Sequence, residues 1–446
     1  MKKYLLFIAF LLPACFLTAA EVKEISLKTC EASALAFSPE VKQKQSLKEA
    51  ALLNYESSGA SLYPSLALDV KGAWVSQVPE LELGPLKMEY GDNWSYSAGP
   101  TLNYVLFDAG GRSGVKKGAY FAYLAKEKDF EFAKKTALLD VRRAYFTVQQ
   151  DLERMYFMDE QLKVAQKQLS DVNAAFKAGA KSNIDVYMAQ KQKLRAEINI
   201  ASARGALGAH LRELFSLTGD DYGIDASYPL DWRIKPGKGE NAPSAIIKAD
   251  PLKDTLASLS FASNNDFDKD LPPLAAAEDM AAYYENLAKS LRSSLYPTVA
   301  LNAGAYAEYP NGPIHESVIN GRAGASLRLP LFEGGKSRKE AAANQKQAQA
   351  ALYEKQDMEE SLSTLFYSSK SLLHSLSVQE VLTDDMVKAS AKTASLTYQA
   401  YKAGSVTFLE VDNANLALLE SRIALADIYV ERLNRLAVMD NLGGGK

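Results

Sequence analysis

Three short marks occur twice in this chain, in the same order and at nearly constant offset. Ser61-Leu62-Tyr63-Pro64 returns as Ser294-Leu295-Tyr296-Pro297. Leu106-Phe107-Asp108-Ala109-Gly110-Gly111 returns as Leu331-Phe332-Glu333-Gly334-Gly335. Phe176-Lys177-Ala178-Gly179, with Asp185 downstream, returns as Tyr401-Lys402-Ala403-Gly404, with Glu410 downstream. A duplicated unit of this length predicts two similar halves packed into one quasi-symmetric body, rather than a catalytic centre assembled from scattered loops.

The two halves follow a segment of a different kind. Lys2 and Lys3 precede an apolar run from Tyr4 to Leu17 that closes on Thr18-Ala19-Ala20. This is the pattern of a secretory signal over residues 1–20, with cleavage after Ala20. Leu12-Pro13-Ala14-Cys15 offers the alternative of a lipoprotein box with Cys15 lipidated. Cleavage after Ala20 leaves Cys30 as the one cysteine, so stability rests on packing and not on a disulfide. The formal charge of -3 speaks against a general nucleic-acid binder. Beyond the signal, no stretch approaches the roughly 18 unbroken apolar residues of a membrane helix. Any membrane-spanning part must therefore be a closed β-barrel.

Each half opens with a helix bracketed by prolines, Pro39 to Pro64 and Pro272 to Pro297. The hydrophobic period then switches to two. Leu66, Leu68, Val70 and Trp74 alternate with Ala67, Asp69, Lys71 and Ala73, and Tyr96, Ala98, Leu102 and Tyr104 alternate with Ser95, Ser97, Thr101 and Asn103. The second half repeats this with Val299, Leu301, Ala303 and Ala305, then Ala323, Ala325, Leu327 and Leu329. Four strands of about ten residues, apolar on one face and polar on the other, have the length and dyad pattern of tilted transmembrane strands. Tyr63, Trp74, Tyr296 and Tyr309 fall near strand ends, where an interfacial girdle would lie. Four strands cannot close a barrel, since the smallest need about eight. Several chains must then share one.

Proline-free stretches follow each hairpin. Leu138, Val141, Tyr145, Val148, Leu152 and Met155, then Leu162, Ala165, Leu169, Val172 and Phe176, step by threes and fours along a heptad seam. A helix over this stretch would extend roughly 100 Å. The expected organisation is a first repeat at 21–217, with a helix, a β-hairpin at 65–106, a long helix at 111–178 and a return helix at 183–217. A linker at 218–270 follows, with one short helix near Pro251 to Ser260. The second repeat, 271–440, has a hairpin at 298–331, a long helix at 336–402 and a return helix at 407–439. A disordered tail is expected at 441–446.

With these marks in hand, the chain resembles the outer membrane efflux proteins, the TolC-like channel-tunnels. The likeness covers both halves and leaves out the central linker. It implies a mixed α/β membrane protein: a homotrimer whose twelve-stranded barrel, four strands per chain, sits in outer membrane lipid and continues as a helical barrel through the periplasm. It also implies a passive duct without cofactors. An inner-membrane transporter of RND, ABC or MFS type would supply the energy through a periplasmic adaptor, and the cargo would be small molecules or polypeptides. The lipid-facing residues would be Leu66, Leu68, Val70, Leu102, Leu301, Leu327 and Leu329. Gly179 and Gly404 match the glycines of the periplasmic tip, where an adaptor would touch Lys177, Ala180, Lys181, Ser182, Lys402, Ser405 and Val406. Asp185, Tyr401, Glu410 and Asn413 are the candidate pore constriction. Three copies of Asp185 and Glu410 about a narrow axis would favour cations, while the same acids also suit the first turn of a helix. Some members close the tip through tyrosine, arginine and aspartate. Here Tyr401 matches the tyrosine, but Val406 stands at the arginine position and Asn413 at that of a further aspartate.

Gly334-Gly335-Lys336-Ser337 looks like the end of a phosphate loop, but Pro330 occupies the position of the required first glycine. His210, His315 and His374 have no partner at ligand spacing in the sequence, so a metal site is not expected. The other function class is a structural or adhesive coiled-coil protein of the cell envelope. Such a fibre would bury Leu66, Leu68, Leu327 and Leu329 between its own sheets.

Overall fold

The computed structural model describes residues 21–219 and 245–444. The expected signal over 1–20, the Cys15 alternative and much of the expected linker lie outside the described residues. In chain order the elements are β1 (Glu21–Ile25), α1 (Leu27–Phe37), α2 (Pro39–Ala60), β2 (Ser65–Trp74), β3 (Glu80–Leu83), β4 (Leu86–Glu89), β5 (Trp94–Phe107), α3 (Gly111–Lys177), α4 (Asn183–Thr218), β6 (Ala245–Ala249), α5 (Leu252–Leu259) with a 3-10 turn at Ser260–Asn264, β7 (Asp266–Phe267), α6 (Pro272–Ser293), β8 (Thr298–Tyr309), β9 (Val318–Arg328), α7 (Lys336–Lys402), α8 (Phe408–Leu442) and β10 (Gly443–Gly444). The fold is mostly helical with a small share of sheet. No described helix is long and apolar enough to cross a membrane.

The chain folds as two compact units. One comprises Pro39–Ala133 and Lys269–Ser363; the other comprises Met1–Ser38, Lys134–Asp268 and Thr364–Lys446, within the described residues. The first unit holds a four-stranded antiparallel sheet of order β2-β5-β8-β9. Its strand-to-helix turns are built on acids. At the start of α3, Asp108 accepts from the Arg112 amide at 2.8 Å and from the Arg112 Nε at 3.0 Å. At the start of α7, Glu333 accepts from the Ser337 amide at 3.0 Å and from its hydroxyl at 2.8 Å. Each acid satisfies a helix N–H that has no partner within the helix. Gly334 and Gly335 both take positive φ, 64° and 79°, so this glycine pair makes a strand-to-helix turn.

The second unit is cored by the seam of α3. Val141, Tyr145, Val148, Leu152 and Met155 are buried against Leu207, Leu211 and Leu214 of α4 and Tyr429, Leu433 and Leu436 of α8. The Tyr145 hydroxyl lies 3.0 Å from the Asp250 carboxylate and accepts from the Asp250 amide at 3.1 Å, which ties the segment after β6 to α3. β6 pairs in parallel with β1.

Three expectations are corrected here. The 218–270 segment was expected to hold only one short helix; besides α5 it carries β6 and β7. Alternation cannot reveal such short strands, whose partners lie far away in sequence. The tail expected to be disordered over 441–446 is ordered as far as Gly444. Asn441 and Leu442 complete α8 and are buried, and Gly443 and Gly444 pair with Phe267 and Asp266. A Cβ at Gly443 would sit 2.5 Å from the Met439 carbonyl oxygen, so this glycine permits a close approach and is not a sign of disorder. Finally, Leu329 falls beyond the end of β9 at Arg328, so it is not a strand residue.

Candidate functional site

The two helix junctions of the second unit share one geometry. At the end of α3, the Gly179 amide donates to the Phe176 carbonyl at 2.9 Å and the Ala180 amide to the Ala175 carbonyl at 2.9 Å. At the end of α7, the Gly404 amide donates to the Tyr401 carbonyl at 3.0 Å and the Ser405 amide to the Ala400 carbonyl at 2.9 Å. Both are Schellman stops with the glycine at positive φ, 76° and 83°. The next helices start on matching capping boxes. Ser182 exchanges bonds with Asp185, and Thr407 with Glu410. Asp185 and Glu410 are thus capping carboxylates. The amide and hydroxyl of Thr407 hold the Glu410 carboxyl below its ordinary range.

Behind these turns lies a small core of Val172, Ala189, Tyr401, Phe408 and Val411, with Val406 packed at its margin. Tyr401 and Phe408 meet edge to face at 5.3 Å between centroids. The Lys181 ammonium lies 3.9 Å from the centre of the Tyr401 ring and donates to the Tyr401 carbonyl at 2.8 Å, joining one junction to the other. A second clamp stands beside it. Asp171 accepts from the Tyr398 hydroxyl at 2.7 Å and pairs with Lys402 at 3.1 Å. The Tyr398 hydroxyl first and Lys402 second hold the Asp171 carboxyl below the usual range. The Tyr401 hydroxyl is buried and has no hydrogen-bond partner among the described residues. Burial, and then the charge of Asp185, push its pKa up to about 12. Lys177, Gly179, Ala180, Ser182, Lys402, Gly404, Ser405 and Asn413 are exposed. The sequence reading missed Asp171 and Tyr398; the one signal was Tyr398 standing three residues before Tyr401 on the same helix face.

Farther up α3 and α4, His210 Nδ1 lies 2.5 Å from the carboxylate of Asp151, which is 6 % exposed. Burial raises the Asp151 pKa. No cluster of potential metal ligands occurs among the described residues.

The sheet unit offers a different surface. The register sets Leu66 opposite Leu102, Tyr104 opposite Leu301, and Val299 opposite Leu327. Leu66, Leu68, Val70, Leu102, Leu301 and Leu327 therefore share one face, together with Ala98, Ala303, Ala307, Ile319 and Ala325. No charged residue lies on that face. Among the described residues nothing covers it: Leu68 is 72 % and Leu327 69 % exposed. Trp74 faces Trp94 across one end, beside the stacked pair of Tyr96 and Tyr309. The opposite face carries Asp69, Lys71, Thr101, Glu308 and Arg322. Strands β2 and β9 are the sheet's edges, and neither outer side is paired among the described residues.

With this geometry in view, the chain can be compared with known proteins. A family model described as outer membrane efflux protein matches residues 32–220 and 270–445. The cation efflux system protein CusC of Escherichia coli is 21 % identical over 432 residues, covering 94 % of this chain and 86 % of its own. The outer membrane protein VceC of Vibrio cholerae superposes with a TM-score of 0.75 at 18 % identity, covering 94 % of this chain and 96 % of its own. The open state of the MtrE outer membrane channel of Neisseria gonorrhoeae gives 0.72 at 19 %, covering 94 % and 89 %.

Proposed function

The chain belongs to the outer membrane efflux protein family, and from this premise we propose that three copies close their sheets into one twelve-stranded barrel that serves as the passive exit duct of a tripartite export system. It is an outer membrane protein of an efflux channel family. The finer reading is carried by one observation: a charge-free apolar sheet face with no cover, bounded by two unpaired edge strands. Open edges and a bare apolar face in water invite aggregation. Four strands are too few to close alone, and edge-to-edge joining of several copies satisfies the backbone while leaving the apolar face to lipid.

The dimensions agree with this reading. From Ser65 to Trp74, β2 rises roughly 30 Å at about 3.3 Å per residue. A tilt of about 40° reduces this to roughly 23 Å, close to an apolar band with aromatic girdles. An envelope fibre would need the same face packed against another sheet, and among the described residues no sheet covers it.

In this reading the junctions at 177–185 and 402–410 form the periplasmic tip. Lys177, Gly179, Ala180, Lys181, Ser182, Lys402, Gly404, Ser405 and Val406 are its adaptor contacts, and Asp185, Glu410 and Asn413 line its constriction, whereas Tyr401, buried behind the turns, packs the tip and does not line the pore. An inner-membrane transporter working through a periplasmic adaptor supplies the energy, and small molecules or polypeptides are the cargo. With Val406 unable to pair with a carboxylate, the Lys181–Tyr401 contact and the Lys402–Asp171–Tyr398 clamp hold the closed tip. The test is the mass of the detergent-extracted protein together with its conductance in a planar bilayer. A trimer with a small, cation-preferring conductance is expected. A particle that is soluble without detergent would overturn the reading.

A further inference from the structure

The polar face of the sheet is more specialised than a plain water-filled wall requires. Arg322 of β9 donates through Nη2 to Glu308 at 2.6 Å, and Asn320 Nδ2 donates to the same carboxylate oxygen at 2.9 Å. The Arg322 guanidinium lies 5.6 Å from the centre of the Tyr306 ring. Gly304, which faces Arg322 across the ladder, explains the ring's position. A Cβ there would stand 2.6 Å from the Tyr306 hydroxyl oxygen, so the ring lies back along its own strand over the bare glycine. The ring is thereby brought beside the guanidinium.

Glu308 is largely covered, with its side chain 18 % exposed, whereas Arg322 is 64 % exposed. The carboxylate is thus occupied, while the guanidinium keeps further N–H donors directed away from it. Along the whole polar face, the cations Lys71, Arg322 and Arg328 outnumber the carboxylates Asp69 and Glu308. Asp69 is itself engaged by the Thr101 hydroxyl at 2.6 Å. A shallow depression bordered by Asp69, Thr101, Asn302, Gly304, Tyr306 and Arg322 lies at this place.

We propose that Arg322 and Tyr306 form an anion-binding ledge, which takes planar aromatic solutes bearing carboxylate, sulfonate or phosphate groups. The inference rests on the barrel reading above, which turns this face toward the lumen and repeats the ledge three times. A guanidinium offers a fork of donors to an oxyanion, and the phenol ring offers a surface for stacking. The ledge selects among anions in transit, at a place separate from the acidic tip. The alternative is a plain cross-strand ion pair, which would add little to stability and nothing to solute binding.

The probe is pyranine, a planar aromatic trisulfonate, with binding read by fluorescence anisotropy on the purified detergent-solubilised protein at low salt. Oligomeric mass is measured on the same samples. Replacing Arg322 by Gln is expected to weaken binding about tenfold, the loss of a charged hydrogen bond. Arg322→Lys, which keeps the charge and loses the fork, should fall between. Tyr306→Leu should weaken pyranine while leaving inorganic phosphate unaffected. If the protein is a trimer and pyranine fails to bind, or binds Arg322→Gln equally well, the ledge is overturned and the duct stands. If the protein is monomeric and soluble without detergent, both fall.

Discussion

Leu68 sits near the middle of β2, about midway between Tyr63 and Trp74, on the face that carries no charge. It is 72 % exposed within the chain. If that face met water, Leu68→Arg would change stability by less than about 0.5 kcal/mol, as most exposed substitutions do. Against lipid, an arginine at the midplane of a membrane barrel costs about 2–4 kcal/mol, falling to about 0–1 kcal/mol near the interface. Three copies would bring this to roughly 6–12 kcal/mol per assembly, comparable with the whole stability of a typical domain. Ala67→Arg is the internal control, one residue away on the polar face beside Asp69. Trp74→Arg probes the strand end. The assay is the share of protein in outer membranes, followed by the temperature at which the detergent-extracted oligomer dissociates. The expected order is severe loss for Leu68→Arg, mild loss for Trp74→Arg and little change for Ala67→Arg. Equal behaviour of Leu68→Arg and Ala67→Arg would refute the assignment of faces.

Three further outcomes are expected. Tyr401→Phe removes a buried hydroxyl that has no partner among the described residues, so thermal stability should hold or rise by up to about 1 kcal/mol; a clear loss would mean that the hydroxyl bonds Asp185. The Asp171 carboxyl is held below its ordinary range, so its contribution is complete above about pH 5 and is lost as pH falls through the lowered value. Protection of the 398–404 turn, taken as hydrogen exchange relative to the intrinsic rate at each pH, should fall in acid for the parent and less so for Asp171→Asn; parallel profiles would contradict the clamp. A Cβ at Gly99 would overlap the Ala305 carbonyl, whereas Gly324 has open space around it. Gly99→Ala should destabilise the sheet by at least about 1–3 kcal/mol, and Gly324→Ala only slightly; similar melting of the two would show that the strands part easily there.

What could be read in the sequence was whatever local spacing encodes. The threes and fours of Val141, Tyr145, Val148 and Leu152 correspond to a buried seam, and the twos of Leu66, Leu68 and Val70 to one face of a strand. The Leu-Phe-acid marks were legible as a repeat, while the helix-capping role of their acids, Asp108 and Glu333, appears only in the structure. What escaped depends on partners distant in sequence. β1 pairs with a strand more than two hundred residues away, and Gly443 and Gly444 join Asp266 and Phe267. Composition marked those glycines as loose; only the close packing at Asn265 and Met439 makes Gly443 necessary. At the two helix junctions, Asp185 and Glu410 admitted two roles, and the capping boxes make one of them concrete. The Lys181–Tyr401 contact was hidden because nothing along the chain says which of several lysines will find a ring.

The two edges of the sheet are not alike: one is β2 and the other β9. Joined edge to edge, such chains add head to tail, as polymerising units do, and only closure of the ring ends the growth. Every junction in the ring is then indispensable, since a single spoiled edge leaves an open arc with its backbone bare in lipid. A variant with a blocked β9 edge, produced beside the normal chain, would therefore disable assemblies built mostly of sound subunits. The inheritance pattern of such a lesion would be dominant, and its strength would grow with the share of the faulty chain.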